Sequence, residues 1–253
     1  MNDLPLPTAH DLLARWDAQQ TAYIKHRDQR FAIMAETIAR HCGDSPRILD
    51  LACGPSSTSA ALLKLLPGAQ IVAVDKDPVL LAIATESFAG RDNVEVHDED
   101  LDQTAWLEAI GGQFDAVVSS TALHWLAPDA LARLYFTLSS KVREGGIFLN
   151  ADHLKYDDVT QPVLHRISAE DDKNNQKIAF DSGVDTWDAW WDAVKANPAY
   201  QDAVARRDIV WEGKGPQPHV SLGYHLTTLR SAGFRETGTI WQYFDDYVLY
   251  AVR

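Results

Sequence analysis

The sequence predicts an α/β fold: a parallel sheet with helices on both faces. Three observations carry that expectation. Between Arg47 and Ala151, short apolar and β-branched runs alternate with helical segments, and strands joined through helices form right-handed crossovers and hence parallel sheets. The run Ile48-Leu49-Asp50-Leu51 empties through Ala52-Cys53-Gly54-Pro55-Ser56 into a helical stretch, the pattern of a buried strand, a tight turn and a helix start. After Ala151 the alternation stops, and the chain closes on two β-rich runs separated by four residues, which read as an antiparallel hairpin.

In chain order, about His10 to Arg27 reads as a helix with Leu12, Leu13, Trp16 and Tyr23 on one side, and a second helix runs from Phe31 to Cys42. Pro46 leads into the first strand. Ser57, Thr58 and Ser59 are expected to cap the helix that continues through Leu66. Strand Ile71–Asp75 follows, then a helix capped by Asp77 with Pro78 at its first position. Strand Val94–His97, a short helix over about 104–110, strand Phe114–Val118, a helix over 129–141 and strand Ile147–Ala151 complete the alternation. Residues 155–218 read as helical and irregular, 220–231 as a helix closed by Gly233, and Glu236–Gln242 with Tyr247–Val252 as the hairpin.

The chain has 253 residues and a hydrophobic share of 46%, which suits one domain with a sizeable core and an embedded smaller piece. No apolar run approaches the roughly 20 residues of a membrane helix. The first residues lack a basic stretch followed by an apolar one, so no secretory signal is expected. Two cysteines, Cys42 and Cys53, make no disulfide framework, and the expected compartment is the cytoplasm. A net charge of −13, with only Lys25, Arg27 and Arg30 approaching a basic cluster, argues against a nucleic-acid surface.

The central turn limits what can bind there. A strand that opens into a helix N-terminus presents unpaired N–H groups to a ligand. Asp75 ends the next strand, 25 residues after Asp50, where a carboxylate accepts hydrogen bonds from ribose hydroxyls. A dinucleotide needs G-x-G-x-x-G so that backbone can approach its pyrophosphate. Only Gly54 is present here, with Ser56 and Ser59 at the other positions. A nucleoside without a pyrophosphate demands less.

At these residues the chain resembles the class I S-adenosylmethionine-dependent methyltransferases of the small-molecule type. Asp50-Leu51-Ala52-Cys53-Gly54-Pro55-Ser56 is similar to that family's Asp-Leu-Gly-Cys-Gly-Thr-Gly turn, with Ala52 and Ser56 in place of glycines. Ser56 puts a hydroxyl beside the ligand, which either donates to its carboxylate or crowds it. Asp75 matches the ribose acid. Asp100 and Leu101 match the pair that reads adenine after the third strand. The fourth strand, followed by Ser119-Ser120-Thr121-Ala122-Leu123-His124-Trp125, matches the last motif. The resemblance covers about Arg47 to Ala151 and the final hairpin. It implies a Rossmann-like, seven-stranded, mostly parallel sheet ending in that hairpin. It divides the chain into an N-terminal helical cap (1–44), a core (45–154 and 219–253) and a helical lid (155–218). Asp50, Ala52, Cys53, Gly54, Ser56, Asp75, Lys76, Asp100, Leu101 and Ser119 are then the expected cofactor residues, with Tyr23 and Arg27 capping the cofactor's amino-acid end.

The implied cofactor is S-adenosylmethionine and the implied reaction an in-line displacement of a methyl group. Such a reaction needs alignment and dryness, and a base only where the acceptor carries a proton. The candidate catalytic residues are His124 and His153, which follow the fourth and fifth strands; either could instead make a structural hydrogen bond. Trp187, Trp190 and Trp191, three of the eight tryptophans, share one helical face. That face either docks a helix or walls an acceptor, and Trp125, Trp187 and Trp191 are the substrate-binding candidates. No metal is expected, because Ser119 stands where metal-dependent relatives carry an Asp and solvation accounts for the acids around Asp100. The expected partner is a small-molecule acceptor (O, N or C), with no nucleic acid and no membrane, and a homodimer is left open. Two other readings stay open: a cofactor-binding protein without activity, and transfer of another group from a sulfonium.

Overall fold

The structure is a computed structural model that describes residues 6–213, 215–218 and 220–253. Seven strands form one sheet in the order β3-β2-β1-β4-β5-β7-β6. They are β1 (Arg47–Leu51), β2 (Gln70–Asp75), β3 (Val94–Asp98), β4 (Phe114–Ser120), β5 (Val142–His153), β6 (Glu236–Tyr243) and β7 (Asp246–Val252). The first five pair in parallel, while β7 runs antiparallel to both β5 and β6. The strand order reverses between β1 and β4, where a doubly wound sheet leaves a crevice at its carboxyl edge.

The helices are α1 (Ala9–Tyr23), α2 (Arg27–Cys42), α3 (Ser57–Leu65), α4 (Pro78–Ser87), α5 (Trp106–Ile110), α6 (Pro128–Lys141), α7 (Pro162–Asp181), α8 (Trp187–Lys195), α9 (Gln201–Val210) and α10 (Leu222–Ser231). Alternation along the buried strands sends neighbouring side chains to opposite faces. Leu49, Leu51, Val117 and Phe148 pack with Leu131, Leu134 and Tyr135 of α6 and Leu229 of α10. Ile48, Ala116, Val118 and Leu149 pack with Met34 and Ile38 of α2 and Leu62 of α3. A third cluster lies off the sheet. It joins Leu12 of α1, Val79 and Ile83 of α4, and Trp190 and Val194 of α8.

Three element boundaries differ from the expected ones. The first helix stops at Tyr23, because His26 takes a left-handed backbone (φ 59°) with its ring against Tyr243, so Arg27 opens α2 instead of closing α1. The fifth strand is twelve residues long and begins directly after α6, so Asp152 and His153 lie within it. Its register against β4 shifts between Phe114 and Ala116, which absorbs the extra length. The expected caps of α3 do not cap it: Ser56 is the N-cap residue, in a left-handed conformation and without a side-chain hydrogen bond to the helix. Ser59 turns its hydroxyl to Asp50 instead. Asp77 does cap α4, accepting from the backbone N–H groups of Val79 and Leu80.

Candidate functional site

One cavity of about 950 Å³ opens at the carboxyl edge of the parallel strands. The turn after β1 forms its floor, the segments after β2, β3 and β4 its sides, and α1, α7 and α8 its roof. Tyr23, Arg27, Ala52, Cys53, Gly54, Asp75, Lys76, Asp100, Leu101, His124, Trp125, His153, Trp187 and Trp191 all line it.

Three expected contact residues do not. Asp50 is 1% exposed and lies under the turn, where its Oδ2 accepts from Ser59 Oγ at 2.6 Å. Ser56 is fully buried, so its hydroxyl neither donates into the cavity nor blocks it. Ser119 is fully buried and donates from Oγ to the Leu51 carbonyl at 2.9 Å, tying β4 to β1. These residues build the turn from beneath.

The turn itself is strained in an ordered way. Ala52, Gly54 and Ser56 all have positive φ, at 49°, 57° and 70°. Glycine takes that conformation without steric cost, whereas a Cβ in it costs about 1–2 kcal/mol. Asp75 holds the turn in place: Oδ2 accepts from Gly54 N at 2.8 Å, and Oδ1 accepts from Lys76 N and Asp77 N. Burial pushes the Asp75 carboxyl up to about 6, against the pull of those N–H groups. Burial likewise raises Asp50 to about 7.

The cavity wall carries buried donors without a protein partner: Ser57 Oγ, Arg27 Nε and Trp191 Nε1. Buried polar atoms ordinarily pair, so unpaired ones on a cavity wall mark where a polar ligand fits. The N-terminus of α3 adds uncapped backbone N–H groups on the same side. Asp75, Asp77, Glu99, Asp100 and Asp102 line the same cavity near the turn, an acidic surround that suits a cationic centre.

At the other end stand two histidines, each held through Nδ1 by a buried aspartate. His124 Nδ1 lies 2.6 Å from Asp152 Oδ1, and Asp152 Oδ2 accepts the His124 backbone N–H. His153 Nδ1 pairs with Asp246 Oδ1, its direct neighbour across β5 and β7. The fully buried guanidinium of Arg30 reaches Asp246 at 3.5 Å and Thr121 Oγ1 at 3.4 Å. Burial would raise the Asp152 carboxyl, but His124, His153 and Arg30 outweigh it and hold Asp152 well below the usual carboxylate range. With Nδ1 occupied on each ring, Nε2 is the nitrogen left to the cavity. The His124 ring sits 5.6 Å from that of Trp125, which lies 6.4 Å from Trp211.

Residues 155–218 close the other side. Asp77 Oδ1 caps α4, while Oδ2 accepts from Arg207 Nε at 2.7 Å and Trp211 Nε1 at 3.0 Å. The Arg207 guanidinium stacks 3.9 Å from the Trp191 ring. Trp190 is fully buried and donates from Nε1 to the Leu12 carbonyl, so it docks α8 on α1 while Trp187 and Trp191 face the cavity. Asp246, Arg207 and Trp211 were absent from the expected site; no spacing rule links them to the turn, since each arrives through tertiary pairing.

The chain is similar to known proteins in sequence and in fold. Residues 48–146 match a family described as a methyltransferase domain. The trans-aconitate 2-methyltransferase of Azoarcus sp. (strain BH72) is 30% identical over 150 residues, 59% of this chain and 55% of that protein. The malonyl-[acyl-carrier protein] O-methyltransferase of Paenibacillus sp. (strain JDR-2) is 29% identical over 112 residues, 44% and 40% of the two chains. The chain thus spans about half the length of the curated relatives it matches. Human N-acetylserotonin methyltransferase in complex with SAM superposes with a TM-score of 0.58 at 15% identity, over 97% of this chain and 56% of that one. Magnesium protoporphyrin IX methyltransferase from Synechocystis with bound SAH gives 0.53 at 15% identity, over 95% and 94%. Residues 48–146 are thus similar to a methyltransferase domain, and the sheet that carries them has the fold of the S-adenosylmethionine-dependent methyltransferases.

Proposed function

We propose that the chain is an S-adenosylmethionine-dependent methyltransferase that methylates a hydroxyl of a small-molecule acceptor. One observation carries the reading: a single cavity joins the turn at Gly54 and Asp75 to the His124–Asp152 pair. The unpaired donors and the uncapped α3 N-terminus fit the cofactor's carboxylate and hydroxyls, Asp75 retains lone pairs for the ribose, and the acidic surround fits the sulfonium.

Bound S-adenosylmethionine supplies an electrophilic methyl group. The protein's own part is to orient and to move a proton. Asp152 fixes the His124 ring with Nδ1–H toward the carboxylate, which leaves the Nε2 lone pair to accept the acceptor's hydroxyl proton. Because Asp152 stays ionised, it also stabilises the imidazolium that results. The tryptophans exclude water from the displacement.

Trans-aconitate, in the names of several relatives, is a carboxylic acid, ionised at neutral pH and in no need of a base. A histidine backed by a buried carboxylate is of use to an acceptor that still carries its proton, so a hydroxyl is favoured here. The net charge of −13 and two free cysteines support a cytoplasmic enzyme acting on a metabolite rather than on nucleic acid. Among the described residues no helix is long and apolar enough to cross a membrane. The test is release of S-adenosylhomocysteine in a metabolite extract. Loss of a general base typically costs about 10²–10⁴ in rate, and His124→Ala should lower release by that factor while S-adenosylhomocysteine affinity holds. Release at the wild-type rate in that variant would remove His124 from the chemistry.

A further inference from the structure

A fully buried guanidinium sits behind the two histidines without reaching the cavity. Arg30 belongs to α2 and is not among the residues that line the cavity, so it touches neither end of the site. A charge buried in a core costs more than an apolar side chain of the same size, unless other groups answer it closely. Arg30 is answered loosely. Asp246 Oδ1 lies 3.5 Å from it and Thr121 Oγ1 3.4 Å, while its Nε has no partner. Contacts of that length act through charge more than through hydrogen bonding. Stability alone would favour an apolar residue in its place.

The charge has two recipients. Asp246 meets it directly and holds His153 Nδ1. Asp152, which holds His124 Nδ1, meets it through space, and the guanidinium is one of the groups that keep this buried carboxyl ionised. The other ionisable groups nearby do not take its place. Arg27, one turn earlier on α2, is paired with Asp17, and Lys155 is exposed. On the α10 side, burial pushes His225 down to about 4, so its ring is neutral, with Nδ1 bound to the Tyr135 hydroxyl. From α7, Asp172 brings a third acid toward Asp245 and Asp246, its carboxyl raised by burial and by those two.

The contact with Thr121 acts on the backbone. Thr121 has φ 57°, a left-handed conformation that a β-branched residue takes only where its surroundings impose it. Its N–H donates to the Ala151 carbonyl at 2.8 Å, and Arg30 reaches its hydroxyl from the other side. Just beyond it, in the short 3-10 turn Leu123–Trp125, His124 meets Asp152 with both its backbone N–H and Nδ1. Thr121 is thus clamped to β5 one residue before the carboxylate that His124 has to meet.

Resting on the methyltransferase reading above, we propose that Arg30 is a positioning residue for the proton transfer. From behind the cavity it holds the turn at Thr121 that brings His124 onto Asp152, and its charge lets Asp152 and Asp246 hold both histidines at once. A buried carboxylate that no cation serves favours taking up a proton, and a protonated one no longer fixes a ring through Nδ1–H. Arg30 lies ahead of residues 48–146, which carry the likeness to known methyltransferases, so no motif points to it.

The test begins on the free protein, so that it does not depend on turnover. In the full chain carrying nitrogen-labelled histidine, NMR reads the two Nδ1–H groups, since an imidazole N–H held by a carboxylate lies downfield and exchanges slowly with water. His124→Phe and His153→Phe assign the two signals. The proposal expects Arg30→Met to lose both and Arg30→Lys to keep them. Thr121→Gly should lose the His124 signal alone, while melting no lower than wild type because its strain is relieved. Met34→Ala, one turn along the same helix, loosens the packing without removing charge and should keep both signals. With S-adenosylmethionine and a metabolite extract, Arg30→Met should release S-adenosylhomocysteine at least about tenfold more slowly, with the affinity for S-adenosylhomocysteine unchanged and the rate partly restored in Arg30→Lys. If Arg30→Met does not fold, Thr121→Gly and Arg30→Lys carry the decision. Absence of the two signals in wild type, their survival in Arg30→Met, their equal loss in Met34→Ala, or affinity for S-adenosylhomocysteine falling in step with release would overturn the proposal. The expected pattern of signals in a wild type that releases no S-adenosylhomocysteine would uphold the role of Arg30 and overturn the methyltransferase reading instead.

Discussion

At the scale of single residues, Ala52 and Ser56 show what a sequence motif does and does not say. The turn calls for left-handed backbone at three alternate positions, and only Gly54 meets it without strain. The substitutions that look like departures from the glycine pattern leave its geometry intact at an energetic cost. Ser56 adds a second cost, because its buried hydroxyl has no partner. Replacing Ala52 with glycine should therefore stabilise the protein by about 1 kcal/mol, and Ser56→Gly by at least as much. Urea denaturation with an unchanged m-value reads this directly; a lower midpoint for both variants would mean that the φ values are not those of the folded protein. The places of Asp75, Lys76, Asp100 and His124 on the cavity wall were legible, since each lies at or a few residues past a strand end. That Asp50, Ser56 and Ser119 lie beneath the cavity rather than in it was not. The motif gives which residues shape the turn, and only the fold tells which of their side chains face out.

At the scale of elements, apolar runs located β1, β2, β4, β5 and β7 because these are largely buried, whereas β3 and β6 form the partly exposed edges of the sheet. They located boundaries less well where one residue decides them, as His26 does by turning left-handed between α1 and α2. The tryptophan-rich helix α8 resolves into two jobs that its spacing could not separate. Trp190 anchors it to α1, while Trp191 and Trp187 face the cavity. The α8–α9 segment is fastened a second time at Asp77, whose two oxygens serve α4 and α9 at once. Arg207→Leu removes the guanidinium that answers a nearly buried carboxylate and lies on Trp191. A broken buried pair costs about 3–5 kcal/mol; with Arg207 a quarter exposed, a loss of about 2 kcal/mol is expected. Amide exchange along 187–210 should speed up in this variant, and S-adenosylhomocysteine should dissociate faster. Exchange no faster than in wild type would show that the packing of Trp190 on Leu12 and Trp16 holds the α8–α9 segment without Arg207.

At the scale of the whole molecule, the sheet brings separate parts of the chain to one edge. The first four strands deliver the turn, Asp75, the segment of Asp100 and Leu101, and His124. The return of β7 beside β5 delivers Asp246 to His153, and the insertion between β5 and α10 supplies the aromatic wall. The parallel half and its final hairpin could be anticipated from periodicity and resemblance. The paired histidines could not, because Asp152 and Asp246 reach them through a strand that runs longer than its apolar core and through a ladder formed by residues nearly a hundred positions apart.

The account stands on Asp75 holding a nucleoside at the bend of Gly54. The most direct measurement is calorimetric titration of S-adenosylhomocysteine, with NAD as control, into the wild type and Asp75→Ala between pH 5 and pH 8. Burial sets the Asp75 carboxyl at about 6 in the free protein, and only its ionised form can accept from two ribose hydroxyls while holding the turn. Wild-type affinity for S-adenosylhomocysteine should therefore be full above that pH and fall as pH drops through it, up to about tenfold per unit. Asp75→Ala should bind at least a hundredfold more weakly and without that pH dependence, and NAD should not bind at all. Affinity in Asp75→Ala equal to wild type, or NAD binding as tightly as S-adenosylhomocysteine, would contradict the account.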